Sequence, residues 1–103
     1  NTMSYFINII NLDTREIMIS IADKEIMGKK FEDKDIIIDV SPNFYGNKLI
    51  NEEEALIYLK SADILILTGS NIVNKAIKEG LVNPDSVLEI NGVKHVQVFK
   101  FSY

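Results

Sequence analysis

His95 is the only histidine in the chain, and Gln97 stands two residues beyond it. On a β-strand, a spacing of two puts both side chains on one face. An imidazole beside an amide can move a proton or hold a polar ligand. The plainer outcome is a half-buried, hydrogen-bonded pair within an otherwise apolar face. A single histidine cannot build a multi-histidine metal site. The absence of cysteine removes disulfides, Cys-ligated zinc, iron–sulfur clusters and thiol catalysis. No metal site and no cofactor are expected.

The segment Thr68-Gly69-Ser70-Asn71 has a second kind of chemistry open to it. It lies where a strand should give way to a helix. Gly69 allows close backbone approach, and the free N–H groups at a helix start can receive a phosphate or carboxylate. A glycine turn with a Ser or Asn cap is also the ordinary way to begin such a helix, and the full glycine-rich nucleotide fingerprints are missing. Phe44-Tyr45-Gly46 places two aromatic rings beside a glycine. Exposed, they could stack on a base or anchor a partner; otherwise at least one ring folds under the sheet. Glu52-Glu53-Glu54 is a charge run at a helix start, spread around the axis by helical geometry. None of the serines has a nucleophile-elbow context.

The elements that must position these residues follow from periodicity. Ser4 to Leu12 and Glu16 to Ala22 read as two strands around the polar break Asp13-Thr14-Arg15, hence an antiparallel hairpin. Asp23 to Gly28 reads as a short helical turn that Asp23 caps and Gly28 ends. The run Ile36-Ile37-Ile38 predicts a strand within Asp35 to Val40 that is covered on both faces, ended by Ser41-Pro42-Asn43. Residues 44–47 are expected to form a loop.

Asn51 and Glu54 have capping-box spacing at the head of a helix running to Ala62, with Ala55, Leu56, Leu59 and Ala62 as its apolar stripe. Asp63 to Thr68 predicts a buried strand. A helix capped by Ser70 or Asn71 should run to about Glu79, with Gly80 just past its end. Ser86 to Ile90, the Asn91-Gly92 turn and Val93 to Phe101 predict a final hairpin. Strand, helix and strand from Ile36 to Leu67 favour a right-handed parallel crossover. The fold expected is α+β: one domain from Met3 to Tyr103, a mixed β-sheet with hairpins at both ends, and two main helices packed on it.

Bulk properties narrow the function further. The chain has 103 residues, 47% of them hydrophobic and 25% charged, which suits a single globular domain. Apolar runs such as Ile64 to Leu67 are far short of the roughly 20 residues of a membrane span. No basic region followed by a long apolar stretch marks a signal peptide. Asn1 and Thr2, ahead of Met3, read as a tag remnant. With no cysteine and no Asn-x-Ser/Thr site, a cytoplasmic setting is expected. A net charge of −4 and a single Arg are unfavourable for broad contact with a phosphate backbone. Lys24, Lys29, Lys30 and Lys34 are interleaved with acidic residues and read as a solvated mixed-charge surface.

The order of several short motifs resembles a family of small archaeal proteins known as a domain of unknown function. These are Glu25-Ile26-Met27-Gly28-Lys29-Lys30-Phe31, Val40-Ser41 through Phe44-Tyr45-Gly46, and Glu52-Glu53-Glu54-Ala55. They continue with Gly69, Ala76-Ile77-Lys78-Glu79-Gly80-Leu81-Val82, Gly92-Val93, His95 and Gln97. The resemblance spans nearly the whole chain and implies a small cytosolic protein in a translation-related setting. Where such proteins often have two glycines after the aromatic pair, this chain has Gly46-Asn47. Asn tolerates positive φ, so the loop can persist.

Two functional readings stay open at this point. The first is a non-enzymatic binding module linked to RNA or to a translation or RNA-processing protein. The second is a small enzyme or ligand-binding protein that holds an anionic small molecule at the Gly69–Asn71 turn near His95. The residues expected to carry a surface site are Phe44, Tyr45, Gly46, Gly69, Ser70, Asn71, His95 and Gln97. No membrane partner is expected, and no oligomeric state is assigned.

Overall fold

A computed structural model describes residues 3–100. Asn1 and Thr2, read as a tag remnant, and Phe101, read as the end of the last strand, lie outside the described residues. Alternating apolar residues build the expected first hairpin, β1 (Ser4–Asn11) and β2 (Ile17–Asp23), antiparallel with Ile7 opposite Ile21. A single 3₁₀ turn, Lys24–Ile26, follows. Then come β3 (Lys30–Asp33), β4 (Ile36–Asp39), a one-turn helix α1 (Pro42–Tyr45) and β5 (Lys48–Asn51). The second half contains α2 (Glu52–Ser61), β6 (Ile64–Thr68), α3 (Ser70–Lys78), β7 (Leu88–Ile90) and β8 (Val93–Phe99).

Among the described residues, six strands form one mixed sheet in the order β5-β1-β2-β6-β8-β7. Of these neighbours only β2 and β6 pair in parallel, and the others are antiparallel. The expected α+β fold with terminal hairpins is therefore present. The crossover is entered differently from the expectation. Strand β4 pairs only with β3, in a separate two-stranded sheet. It is β5, parallel to β6 through the intervening β1 and β2, that leads into α2. The short segment Lys48–Asn51 has only Leu49 and Ile50 to mark it as a strand, too little for periodicity to register.

The two faces of the main sheet are covered unequally. Tyr5, Ile7, Ile19, Ile21, Leu65, Leu67 and Val96 point to one face and form the principal core with Ala55 and Leu59 of α2 and Ile72, Val73 and Ala76 of α3. Both main helices lie there. The opposite face is covered in part by α1 and the β3–β4 hairpin, through a smaller cluster of Ala22, Ile38, Val40, Tyr45 and Ile90. The Ile36-Ile37-Ile38 run is consequently not covered on both faces: Ile38 is buried, whereas Ile37 is 61% exposed. A run of branched residues reports β-propensity but not how many layers enclose the strand.

Local signals hold at several ends. The Asn51 side chain accepts from Glu54 N at 2.8 Å, and the Glu54 carboxylate accepts from Asn51 N at 3.0 Å, completing the capping box. Asn91 and Gly92 have φ of 49° and 82°, as their hairpin turn requires. At the head of α3 the outcome differs. Gly69 is the N-cap, and neither Ser70 nor Asn71 caps the helix with its own side chain.

Candidate functional site

Helix α1 is the element that brings the aromatic pair to the sheet. Ser41 caps it by accepting from Asn43 N at 3.2 Å, and Pro42 fits the first turn because no partner is needed for its missing N–H. The segment expected to be a loop therefore makes one helical turn. Its Phe44 carbonyl accepts from Ser20 Oγ at 2.6 Å and Asn8 Nδ2 at 3.0 Å, two polar side chains on the lightly covered face. Gly46 closes the turn with φ of 81°, and a Cβ there would overlap the Ile7 carbonyl oxygen. These contacts seat Tyr45 in the smaller core, while Phe44 stays half-buried and meets the Tyr45 ring edge-on at 5.0 Å. Burial of at least one ring, as expected, is the outcome.

A buried hydrogen-bond chain runs from this helix to β8. The Tyr45 hydroxyl lies 2.6 Å from Thr68 Oγ1, which lies 2.8 Å from His95 Nδ1. Thr68 is fully buried, and register pairing sets it directly opposite His95. Burial pushes the Tyr45 phenol pKa up, while its hydrogen bond to Thr68 opposes that shift. Burial lowers the His95 pKa and favours the neutral ring. Gln97 is exposed, with its amide 3.4 Å from His95 Nε2. His95 is thus half-buried, as the sequence suggested, but its short hydrogen bond goes to Thr68 and its contact with Gln97 is a long one.

Beside this chain lies a cleft of about 780 Å³ between β4 and the β6–β8–β7 part of the sheet. Its walls include Ile36, Ile37, Phe44 and Leu88, and its floor includes Ile66, His95 and Gln97. Asp39 and Ser86 also line it, and among the described residues no Lys or Arg does. The Asn91 side chain donates to the Glu32 carbonyl at 2.7 Å, tying the β3–β4 hairpin to the β7–β8 turn. A concave, mostly apolar space of this size with a few convergent polar groups has the form of a ligand site.

The structure brings Phe44, Tyr45, His95 and Gln97 together around this cleft, while Gly46 lies against Ile7 and Asn8 of β1. Gly69, Ser70 and Asn71 belong elsewhere. Gly69 N donates to the Lys94 carbonyl at 2.8 Å, and Ser70 Oγ donates to the Gly92 carbonyl at 3.4 Å. Asn71 N and Ile72 N both donate at 2.9 Å to the Asp23 carboxylate, which reaches across from the end of β2. Asp23 makes no side-chain hydrogen bond to the 3₁₀ turn it was expected to cap. An internal carboxylate therefore fills the anion position at the start of α3. Burial raises the Asp23 pKa to about 6, against the opposing effect of these two N–H donors. The Asn71 side chain donates to Glu25 Oε1 at 3.1 Å and borders a separate depression of about 270 Å³. There the Tyr5 hydroxyl donates to Glu52, and Lys75 Nζ donates to the other Glu52 oxygen at 3.0 Å. The Tyr5 hydrogen bond, followed by Lys75, holds the Glu52 pKa below its ordinary value.

Sequence patterning read Thr68 as part of the glycine turn and Asp23 as the cap of its own helical turn, and singled out neither them nor Ser20 as site residues. Their signal was present as isolated polar residues in apolar strands, at the ends of β6 and β2 for Thr68 and Asp23 and at the centre of β2 for Ser20. Among the described residues, no group of three or more His, Cys, Asp or Glu side chains is placed to hold a metal ion.

A family model described as a protein of unknown function, DUF424, matches residues 11–101. The chain belongs to the DUF424 family. A crystal structure of an uncharacterized conserved protein from Methanopyrus kandleri resembles this DUF424 chain with a TM-score of 0.72 and 18% identity. The likeness covers 97% of this chain and 96% of that one, and at this identity it speaks to the fold. No curated protein matches. No helix among the described residues of this DUF424 chain is long and apolar enough to cross a membrane.

Proposed function

We propose that this chain is a non-enzymatic binding module that receives an apolar segment of a partner protein in the cleft between β4 and the β6–β8–β7 face. The lining carries the reading: branched and aromatic walls over a small polar floor and, among the described residues, one carboxylate in Asp39 and no cationic side chain. A phosphodiester backbone needs basic residues to replace its counterions, and this surface offers none. An apolar peptide segment needs only the apolar walls and matched polar groups on the floor. The partner belongs to translation or RNA processing in this reading, and the module acts in the cytoplasm.

The anionic-ligand alternative has less support. The N–H groups of Asn71 and Ile72 are already engaged by Asp23, whose charge would oppose a second anion.

The test uses the chain as bait in extracts of its own cells, with and without nuclease, beside an Ile37→Asp variant. Ile37 is exposed on the cleft wall, so the change should leave folding intact by circular dichroism. Specific proteins retained after nuclease and lost with Ile37→Asp are expected. Capture lost on nuclease treatment would assign the surface to RNA. Equal capture by both chains would remove the cleft from the function.

A further inference from the structure

The buried chain from Tyr45 to His95 has only one proton arrangement that satisfies every member. Among the described residues, Thr68 Oγ1 is the hydrogen-bond partner of the buried Tyr45 hydroxyl, at 2.6 Å. The phenol must donate there, because the reverse would leave its own proton buried and unpaired. Thr68 then has one proton to give, and it goes to His95 Nδ1 at 2.8 Å. Nδ1 is an acceptor, so a neutral ring carries its proton on Nε2. That edge of the ring faces away from Thr68 and toward Gln97 on the cleft floor. The Gln97 atom nearest to Nε2 is its amide nitrogen, at 3.4 Å, itself a donor that cannot accept the Nε2–H. The Nε2–H is therefore available to an acceptor.

We propose that His95 and Gln97 form a receptor for the backbone of an extended apolar peptide, with His95 Nε2–H donating to a peptide carbonyl and Gln97 Oε1 accepting the neighbouring N–H. The proposal rests on the cleft being the binding surface and names what that surface reads. An extended residue presents its N–H and C=O on the same side, which is how paired strands exchange two hydrogen bonds. The i, i+2 spacing of His95 and Gln97 supplies one donor and one acceptor on one strand face. Ile36, Ile37, Phe44 and Leu88 then meet the peptide's side chains. An anionic ligand is disfavoured by Asp39 and by the lack of a lining cation among the described residues. Tyr45 and Thr68 are positioning residues: they touch no ligand, and they set which ring nitrogen carries the proton.

With a single histidine, the ring tautomer can be read without assignment ambiguity from long-range 1H–15N correlations on the labelled full chain at neutral pH. A proton on Nε2 is expected. A proton on Nδ1, or a charged ring, overturns the proposal and leaves the cleft as a purely apolar dock. The same sample is then titrated with N-acetyl-leucine methylamide and, separately, with uridine. Saturable shifts from the peptide amide at Ile36 to Ile38, Leu88 and His95 Nε2 are expected. Gln97→Ala, an exposed change, should weaken them about fivefold, the loss of one hydrogen bond. Shifts from uridine alone would replace the peptide with a nucleobase, and no shift from either would reject the receptor. Failure of the broader reading looks different: it is partner capture that survives Ile37→Asp.

Discussion

Asp23 and Gly69 fit against each other only because Gly69 has no side chain. Gly69 takes φ of 121°, and a Cβ built there would overlap the Asp23 carboxyl group. That close approach lets a residue at the end of β2 cap α3, 48 positions away in sequence at Asn71. Gly69→Ala combines a conformation unsuited to an L-residue with overpacking against a buried carboxylate. It should cost about 3 kcal/mol, read from the midpoint of urea unfolding. A loss below about 1 kcal/mol would mean that Asp23 can swing aside without penalty.

The raised Asp23 pKa gives stability a particular pH dependence. Its carboxyl titrates at about 6 in the folded chain and near the ordinary 3.8 when unfolded. Between these values the folded state binds more protons than the unfolded one, so this group's contribution to stability falls as pH rises from about 4 to about 6 and is level above that. Burial is the main cause, with Glu25 and Glu52 adding to it. Urea unfolding of wild type and Asp23→Asn at pH 4.5 and 7.5 checks the sign. The wild-type advantage over the variant should be larger at pH 4.5. Glu52 acts oppositely, because its pKa is lowered on folding, and its effect lies below the ordinary 4.5.

The Tyr45–Thr68–His95 chain should behave as a unit in a double-mutant cycle. Tyr45→Phe removes one donor and leaves Thr68 still donating to His95, so it should cost about 1 kcal/mol. Thr68→Val leaves two buried polar atoms without this partner and should cost about 2–3 kcal/mol. The double variant should lose less than the sum, because Tyr45→Phe removes one of the orphans that Thr68→Val creates. Strict additivity in urea unfolding would show that the hydroxyls are not coupled.

Gly46 and Gly80 both have positive φ, yet their surroundings separate them. A Cβ at Gly46 meets the Ile7 carbonyl oxygen, whereas a Cβ at Gly80 meets nothing within 4 Å. Gly80→Ala should cost about 1 kcal/mol, the backbone penalty alone. Gly46→Ala should cost about twice that or more and should also shift Phe44 and Tyr45, seen in their ring proton resonances. Equal costs would contradict the seating of α1 on β1.

What the chain revealed by itself is what neighbouring residues decide among themselves. Asn51 and Glu54 complete a capping box three residues apart, Asn91-Gly92 makes its own turn, and alternation across Ile17, Ile19 and Ile21 marks a strand. The pairing of Gln97 with His95 on one strand face was legible for the same reason. Tertiary structure alone decided which distant groups meet. Asp23 looks like the cap of its own turn but serves α3, because the parallel pairing of β2 with β6 brings the ends of those strands together. Thr68 looks like the end of a buried strand but links Tyr45 to His95, because β6 lies beside β8 and under α1. Ile36 to Ile38 look like an enclosed strand but form a cleft wall, because apolar periodicity records that a residue prefers burial and not how many partners the fold supplies.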